Sequence, residues 1–238
     1  MEKTVLHKAS SRGYADHGWL KTKHTFSFAN YYDPERMGFG ALRVLNDDHV
    51  EGGEGFGLHP HDNMEIISIP LEGDLEHRDS MNNVSVIRKG DIQVMSAGTG
   101  IFHSEYNSNS DRPVKFLQIW VLPDRKNVTP RYDQVTLDPG DSHNKLQKIV
   151  SPVSGDSSLW IHQNAFFFFG RFDKGFNTDY RIRSERNGVY AFIIKGEVTI
   201  NRYKLEQRDG LGLSETKIIS ISSDSESEIL LMEIPLVH

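Results

Sequence analysis

Two short motifs in the chain contain side chains that could bind a metal ion. The first places His59 and His61 one residue apart, and the second does the same for His103 and Glu105. Residues two apart in a β-strand project from the same face, so each motif would direct both of its side chains to one side. If the two strands are antiparallel neighbours, the four groups meet, and imidazole with carboxylate suits a divalent first-row metal. Either pair alone is more often a surface or hydrogen-bonded pair, but the combination is a specific signal.

The rest of the chain consists of short strands separated by turns. Segments 64–80 and 84–100 each contain two β-type stretches joined at a glycine corner, and segment 114–123 is rich in β-branched and aromatic residues. The run FFFF at 166–169 could form an aromatic platform for a substrate, but a strand buried on both faces explains it better. Helical periodicity is nearly absent, and a short helix is expected only within residues 139–150. The sequence therefore predicts an all-β protein.

A polar segment that contains three prolines, residues 123–140, divides the chain into two halves of similar pattern. Residues 189–215 repeat the order of strand, glycine turn and strand that occurs in the first half. Such an internal repeat predicts two similarly folded β domains, the first spanning 1–130 and the second 131–238.

The composition excludes several kinds of site and partner. The chain has no cysteine, which rules out disulfides, thiolate ligands and a cysteine nucleophile and fits a reducing compartment. The N-terminal segment lacks the apolar core of a signal peptide, and no apolar run is long enough to cross a bilayer. A net charge of −6 without a basic cluster disfavours nucleic-acid binding. We therefore expect a cytoplasmic protein without membrane or direct nucleic-acid contact. We also expect a monomer, because the two domains can cover each other's apolar faces.

The metal motifs match a known pattern. GLHPHDNMEIISIPLEG resembles the first cupin motif, in which two histidines are followed by a glutamate, here Glu65, and a turn glycine. GDIQVMSAGTGIFHSEYN resembles the second motif, with a leading glycine, His103 and Asn107. Two departures are visible, because Ser96 replaces the usual proline and the spacing from glycine to histidine is longer by two residues.

The combination of HPH with SAGTGIFHSEYN is similar to the pirin family in particular. Segments 17–48, 116–134 and 223–235 also resemble bacterial pirin-like quercetinases, so that the resemblance covers nearly the whole chain. Pirins are bicupins, with two tandem cupin (jelly-roll-like) β-barrels of which only the N-terminal one holds metal. The resemblance thus implies a metal site in residues 1–130 and none in 131–238, where the matching stretches contain no histidine.

By the same resemblance the metal ligands are His59, His61, His103 and Glu105. Glu65, which is the ligand in many other cupins, is expected to have a structural role instead. An octahedral ion held by four protein ligands keeps open positions, which a reactive site needs. Iron(II) is the expected metal, and nickel, manganese, cobalt, copper or zinc could occupy the same site.

The implied activity is that of a flavonol 2,3-dioxygenase with quercetin as substrate. Such an enzyme deprotonates the 3-hydroxyl of the flavonol, opens the heterocyclic ring with O2 and releases carbon monoxide, and Glu105 is the candidate catalytic base. His24, Phe56 and Met64 are the candidate residues of the substrate pocket. Two other functions stay open at this point. One is a non-enzymatic metal-sensing or redox-sensing regulator that acts through a protein partner, and the other is a metal-dependent cupin of another reaction class, such as an isomerase.

Two further histidines carry weaker signals. His77 follows the turn at Gly73 and is expected to be structural. His162 stands alone in the second half and is expected to be a packed or surface residue.

Overall fold

The structure, a computed structural model, describes residues 2–236. Over this range the chain forms β-strands and two 3₁₀ helices, Ala9–Ser11 and Pro139–Ser142. None of the helices in residues 2–236 is long and apolar enough to cross a membrane. The predicted all-β class is confirmed. The short helix expected within residues 139–150 is limited to its first turn, because Leu146–Ser151 forms a strand.

In chain order the strands are β1 (Lys3–His7), β2 (Gly13–Asp16), β3 (Leu20–His24), β4 (Leu42–Val50), β5 (Gly55–His61), β6 (Glu65–Glu72), β7 (Asp74–Asp79), β8 (Val84–Arg88), β9 (Asp91–Ser96), β10 (Ile101–Asn107), β11 (Val114–Val121), β12 (Arg131–Thr136), β13 (Leu146–Ser151), β14 (Leu159–Trp160), β15 (Phe166–Phe172), β16 (Asn177–Arg181), β17 (Asn187–Lys195), β18 (Val198–Ile200), β19 (Tyr203–Leu205), β20 (Gly210–Ser214), β21 (Ile218–Ser223) and β22 (Ser227–Pro235).

These strands build two domains of the same design, each with a seven-stranded and a four-stranded sheet. The N-terminal domain has the sheet orders β12-β9-β6-β11-β4-β3-β2 and β5-β10-β7-β8. The C-terminal domain has the orders β1-β20-β17-β22-β15-β13-β14 and β16-β21-β18-β19. In both domains the two sheets face each other, and they do not join into one closed sheet.

Two strands pair with the domain formed mainly by the other half of the chain. Strand β1 lies at the edge of the C-terminal large sheet, where Lys3 to His7 pair with Ser214 to Gly210. Strand β12 lies at the edge of the N-terminal large sheet and pairs with β9. The division between residues 130 and 131 stays a prediction, and strand pairing crosses it in both directions.

Within residues 2–236, the interiors of the two domains differ in how their buried side chains are distributed. The two large sheets pack against each other through an apolar core that includes Ile67 and Leu117 from one domain and Phe167 and Phe192 from the other. The interior of the C-terminal domain is filled by a second, continuous apolar cluster. The interior of the N-terminal domain holds two smaller clusters, one around Phe116 and one around Met95. Polar side chains line the space between them.

Candidate metal centre and cavity

Strands β5 and β10 bring the two predicted metal motifs together. In their antiparallel register His103 lies directly opposite His59, and Ile101 lies opposite His61. Because side chains alternate along a strand, all three imidazoles project into the domain interior. The ring centroid of His103 is 4.3 Å from that of His59 and 4.9 Å from that of His61. One ligand nitrogen from each histidine lies within 4.8 Å of the other two, a spacing that a single metal ion could bridge.

Glu105 enters the same interior from β10 but lies beyond a register shift. The pairing of β10 with β5 is irregular between His103 and Glu105. The Glu105 carboxylate is fully buried and accepts hydrogen bonds from Gln118 Nε2 at 2.6 Å and from Ser68 Oγ at 3.1 Å. It belongs to a second cluster of possible ligand atoms, with His103 and His77. Glu105 is thus next to His103 but is not grouped with His59 and His61.

The hydrogen-bond partners of the histidines leave nitrogens free for a cation. His59 Nδ1 is 2.7 Å from the carbonyl oxygen of Gly57, which can only accept, so the proton is on Nδ1 and the lone pair is on Nε2. His103 Nε2 is buried and has no hydrogen-bond partner. A buried polar atom without a partner is costly unless a ligand satisfies it. The donor set therefore fits a divalent metal of the first transition row.

Burial keeps the imidazoles of His61 and His103 in the neutral form that binds metal. Desolvation, with a contribution from His59, lowers the pKa of His61 to about 4. Desolvation followed by the neighbouring histidines lowers the pKa of His103 to about 2. Because protonated imidazole cannot ligate, low pKa values preserve metal affinity at neutral pH. For Glu105, burial raises the pKa to about 7, against the opposing hydrogen bonds from Ser68 and Gln118.

A cavity of about 430 Å³ opens beside the histidines and contains His59, His61 and Glu105 in its wall. Its apolar wall consists of aromatic and aliphatic side chains: Trp19, Leu20, Phe28, Phe56 and Trp120. Two of the three predicted pocket residues, His24 and Phe56, are in this wall. His24 donates a hydrogen bond from Nδ1 to Asn46 Oδ1 at 2.9 Å, and burial lowers the pKa of its ring.

Met64, the third predicted pocket residue, is not among the residues that line the cavity. It packs instead against a buried cluster that includes Ile66, Met95 and Ile101. Asn63, with a left-handed φ of 46°, separates β5 from β6, so alternation along one strand does not relate the direction of Met64 to that of His61.

The same turn decides the position of Glu65, the conventional cupin glutamate. Glu65 accepts hydrogen bonds from Ser96 Oγ at 2.7 Å and from His162 Nδ1 at 3.0 Å. Its neighbour Ile67 belongs to the core between the domains, and Ser68 faces Glu105. Glu65 thus projects from the face of β6 opposite the metal site and joins the two domains. His162, expected to be a packed or surface residue, is mostly buried and is the hydrogen-bond partner of Glu65.

Four polar residues of the cavity wall were not singled out from the sequence: Thr22, Asn46, Asp48 and Gln118. They lie on the large sheet, where Gln118 is directly opposite Asn46 and Asn46 is directly opposite His24. Asp48 is fully buried, and desolvation raises its pKa to about 7. A signal was available, because Asn46 and Asp48 are two residues apart in β4 and therefore project from the same face of the strand.

Comparisons with known proteins match both halves of the chain. The Pirin family model matches residues 5–121, and the model described as quercetinase C-terminal cupin domain matches residues 148–234. The quercetin 2,3-dioxygenase of Escherichia coli K12 is 47% identical over 232 residues, which are 98% of this chain and 99% of that protein. A pirin-like protein of Caulobacter vibrioides is 39% identical over 93% of this chain and 95% of its own.

Solved structures give the same result for the fold. The bacterial pirin YhhW from E. coli in complex with nickel(II) superimposes with a TM-score of 0.94 at 45% identity and covers 99% of this chain and all of its own. A quercetin 2,3-dioxygenase from Acinetobacter baumannii, with a TM-score of 0.78 at 20% identity, covers 99% of this chain and 88% of its own and shares the fold alone. These matches confirm the predicted bicupin fold. The chain belongs to the pirin family.

Proposed function

We propose that this protein is a metal-dependent dioxygenase that opens the heterocyclic ring of flavonols such as quercetin with O2 and releases carbon monoxide. One observation carries the proposal: His59, His61 and His103 converge beside an aromatic-lined cavity, and the buried Nε2 of His103 has no hydrogen-bond partner. The E. coli relative named quercetin 2,3-dioxygenase supports the substrate class. A flavonol is flat and aromatic, and such a cavity buries it against ring faces and edges.

His59, His61, His103 and Glu105 would hold the metal ion, as first inferred from the family resemblance. Iron(II) is our first choice, and the nickel(II) complex of YhhW supports the wider view that a site of this type accepts several metals. When bound, the ion would lower the pKa of the substrate hydroxyl beside it and provide a position for O2.

Two buried carboxyl groups near the cavity, Glu105 and Asp48, are our candidates to receive the hydroxyl proton of the substrate. Glu105 is the proposed catalytic base, and Gln118 and Ser68 hold its orientation. Asp48 lies in the same cavity wall and is not one of the proposed ligands. Burial raises the pKa of each to about 7, close to neutral pH, where a base can both accept and release a proton.

The cavity wall also provides orientation for a flat ring. Phe28 and Trp120 meet edge to face at 5.3 Å, and Trp120 meets His61 in the same way at 4.9 Å. Trp19 and Phe56 form a second edge-to-face pair at 5.3 Å. Rings fixed by such contacts would present rigid surfaces, and water would be displaced from the histidines when a substrate occupies the space.

The decisive experiment is a turnover assay with apoprotein reconstituted separately with iron(II), nickel, manganese, cobalt, copper and zinc. We expect loss of flavonol absorbance, coupled to O2 uptake and carbon monoxide release, with at least one of these metals. The variants His59→Ala and Glu105→Ala should lose metal and turnover together, while His143→Ala, an exposed histidine of the other domain, should keep both. Absence of turnover with every metal would reject the enzyme and favour a metal-sensing regulator.

Location and assembly are part of the same proposal. We expect the protein to act in the cytoplasm as a monomer, with a small aromatic molecule and O2 as its partners and without direct nucleic-acid contact. The core shared by the two large sheets supports the monomer, because it covers the apolar outer face of each. Size-exclusion chromatography with light scattering gives a mass near 27.1 kDa if this is right.

A further inference from the structure

A buried histidine and aspartate on β7 lie directly behind the histidine cluster. In the register of β7 with β10, Asp79 is opposite His103 and His77 is opposite Glu105. His77 Nε2 is 3.1 Å from Asp79 Oδ2, and His77 Nδ1 is 3.5 Å from His103 Nδ1. Both side chains are completely shielded from solvent. The three residues thus form a continuous line from a carboxylate to the central histidine of the site.

Asp79 is held in place as an acceptor. Its Oδ1 accepts hydrogen bonds from the backbone N–H groups of Met81 at 2.9 Å and Asn83 at 3.1 Å. Its Oδ2 accepts from Asn83 Nδ2 at 2.8 Å as well as from His77. Because a carboxylate with these partners donates nothing, the proton between it and His77 is on His77 Nε2.

That assignment determines the proton positions of the next ring. A neutral imidazole carries one N–H, so His77 Nδ1 has a lone pair and accepts. The hydrogen bond to it must then come from His103 Nδ1–H, which leaves the lone pair of His103 on Nε2. This is the nitrogen that is buried without a hydrogen-bond partner, on the histidine that is grouped with His59 and His61.

The orientation of the His77 ring is fixed from a third side. Tyr132, on strand β12, stacks on it at 4.6 Å between centroids with an angle of 26° between the planes. The Tyr132 hydroxyl donates to Gln134 at 2.8 Å. The ring of His77 is therefore held between Tyr132 and the hydrogen bonds to Asp79 and His103.

We propose that Asp79 and His77 are positioning residues that set the tautomer of His103 and present its Nε2 lone pair to the metal ion. Hydrogen-bond partners of ligating histidines fix ring orientation and tautomer in this way, and here the carboxylate acts through an intervening histidine. The inference rests on the proposed metal site and not on flavonol cleavage. In this proposal His77 orients a metal ligand. The alternative is that His77 itself binds the metal together with His103 and Glu105.

The first test needs no variant and no metal. Long-range ¹H–¹⁵N correlation spectra of the imidazoles in the metal-free protein distinguish protonated from unprotonated ring nitrogens. We expect His103 to be protonated at Nδ1 and His77 at Nε2. A His103 ring protonated at Nε2 would overturn the proposal.

The second test is Asp79→Asn with nickel(II) as the probe. The backbone N–H groups of Met81 and Asn83 should continue to donate to the side-chain oxygen of the variant, so its NH₂ group should face His77 Nε2. His77 Nε2 must then accept, which moves the His77 proton to Nδ1 and the His103 proton to Nε2. We expect nickel(II) affinity, measured by chelator competition, to fall about 10- to 100-fold. His77→Phe, which keeps the stacking on Tyr132, should reduce the affinity in the same range.

The control for these variants is Glu65→Gln, since Glu65 is also a buried carboxylate bonded to a histidine. It should leave nickel(II) affinity within about twofold of wild type. Glu65 is not a hydrogen-bond partner of any proposed metal ligand, so its loss should not change how a ligand is oriented. If folded Asp79→Asn bound nickel(II) with wild-type affinity, the proposed role of Asp79 and His77 would be contradicted. X-ray absorption of nickel-loaded His77→Phe that shows one imidazole fewer would also overturn it, because His77 would then be a ligand.

Discussion

His59, His61 and His103 differ in what holds each ring. His59 is oriented by the carbonyl oxygen of Gly57, His61 packs edge to face against Trp120, and His103 is bonded to His77. Because each has its own support, the three rings are arranged for a cation before one binds, and loss of one ring should not disorder the other two.

Removal of one of these rings is therefore expected to affect metal binding more than folding. Loss of a hydrogen-bond partner of a metal ligand lowers affinity about 10- to 100-fold. His59→Ala removes a ligand itself and should therefore lower nickel(II) affinity by more than this. Metal content by mass spectrometry and affinity by chelator competition measure this, with the far-ultraviolet circular dichroism of the variant as the check on folding. Full metal content in His59→Ala would remove this histidine from the site.

Asp48 predicts a pH dependence of stability in the metal-free protein. Desolvation raises its pKa from 3.8 to about 7; Thr22 and Arg12 oppose the shift, and Asp47 and Glu105 add to it. Between these two values the folded protein holds a proton that the unfolded chain releases, so the free energy of unfolding decreases as the pH rises through this window.

Asp48→Asn removes that proton exchange. The wild-type free energy of unfolding should therefore decrease more than that of the variant between pH 4 and pH 8, by roughly 1.4 kcal/mol for each unit of the shift. Urea unfolding at several pH values with a chelator present measures both proteins. Parallel pH profiles would show that Asp48 is ionised in the folded protein.

At the scale of single elements, the two faces of β6 have different roles, because its side chains alternate between the metal site and the other domain. Ser68 is on the face of the strand that bonds Glu105, and Glu65 and Ile67 are on the face that meets the other domain. The conventional cupin glutamate is present in the sequence, but the sheet directs it toward His162.

Glu65→Ala should consequently leave metal content unchanged and reduce stability. The change leaves His162 and the buried Ser96 hydroxyl without their acceptor, which costs about 1–3 kcal/mol. Metal analysis and urea unfolding measure the two effects separately. A loss of metal without a loss of stability would return Glu65 to the ligand set.

The sequence predicted the elements well where alternation and turns are local. The strands expected between the metal motifs are present as β6 to β10, but the two strands joined at Gly73 and the two joined at Gly90 lie in different sheets and do not pair as hairpins. Residues 166–169 lie in β15, a strand between β13 and β22 with Phe167 in one core and Phe168 in the other. The positions of Met64 and Glu65 were not predictable from spacing, because the left-handed residue Asn63 interrupts the alternation. Asp79 belongs to the site only through the pairing of β7 with β10, which no local pattern contains.

At the scale of the whole molecule, the two domains share one core. Phe167 and Phe192 of one domain pack in the same buried cluster as Ile67 and Leu117 of the other. Because neither large sheet can expose this face to water without losing its apolar burial, the domains should not unfold one after the other.

We therefore expect a single cooperative unfolding transition. Trp160→Phe leaves fluorescence only from Trp19 and Trp120 of the N-terminal domain, and the double variant Trp19→Phe/Trp120→Phe leaves only Trp160 of the other. We expect the urea midpoints reported by the two variants to coincide once the effect of each substitution on overall stability is taken into account. Separate transitions in wild-type calorimetry would contradict it.

The pairing of β1 and β12 across the two halves makes this molecule a candidate for fragment complementation. The loop at 124–127 is exposed, and a cut there yields one fragment that carries β1 and another that carries β12. Each fragment then lacks the edge strand of its own large sheet and carries the edge strand of the other. An unpaired sheet edge binds a matching strand. Reassembly would thus be reciprocal, and recovery of the His77–Tyr132 stack would report it from within the protein.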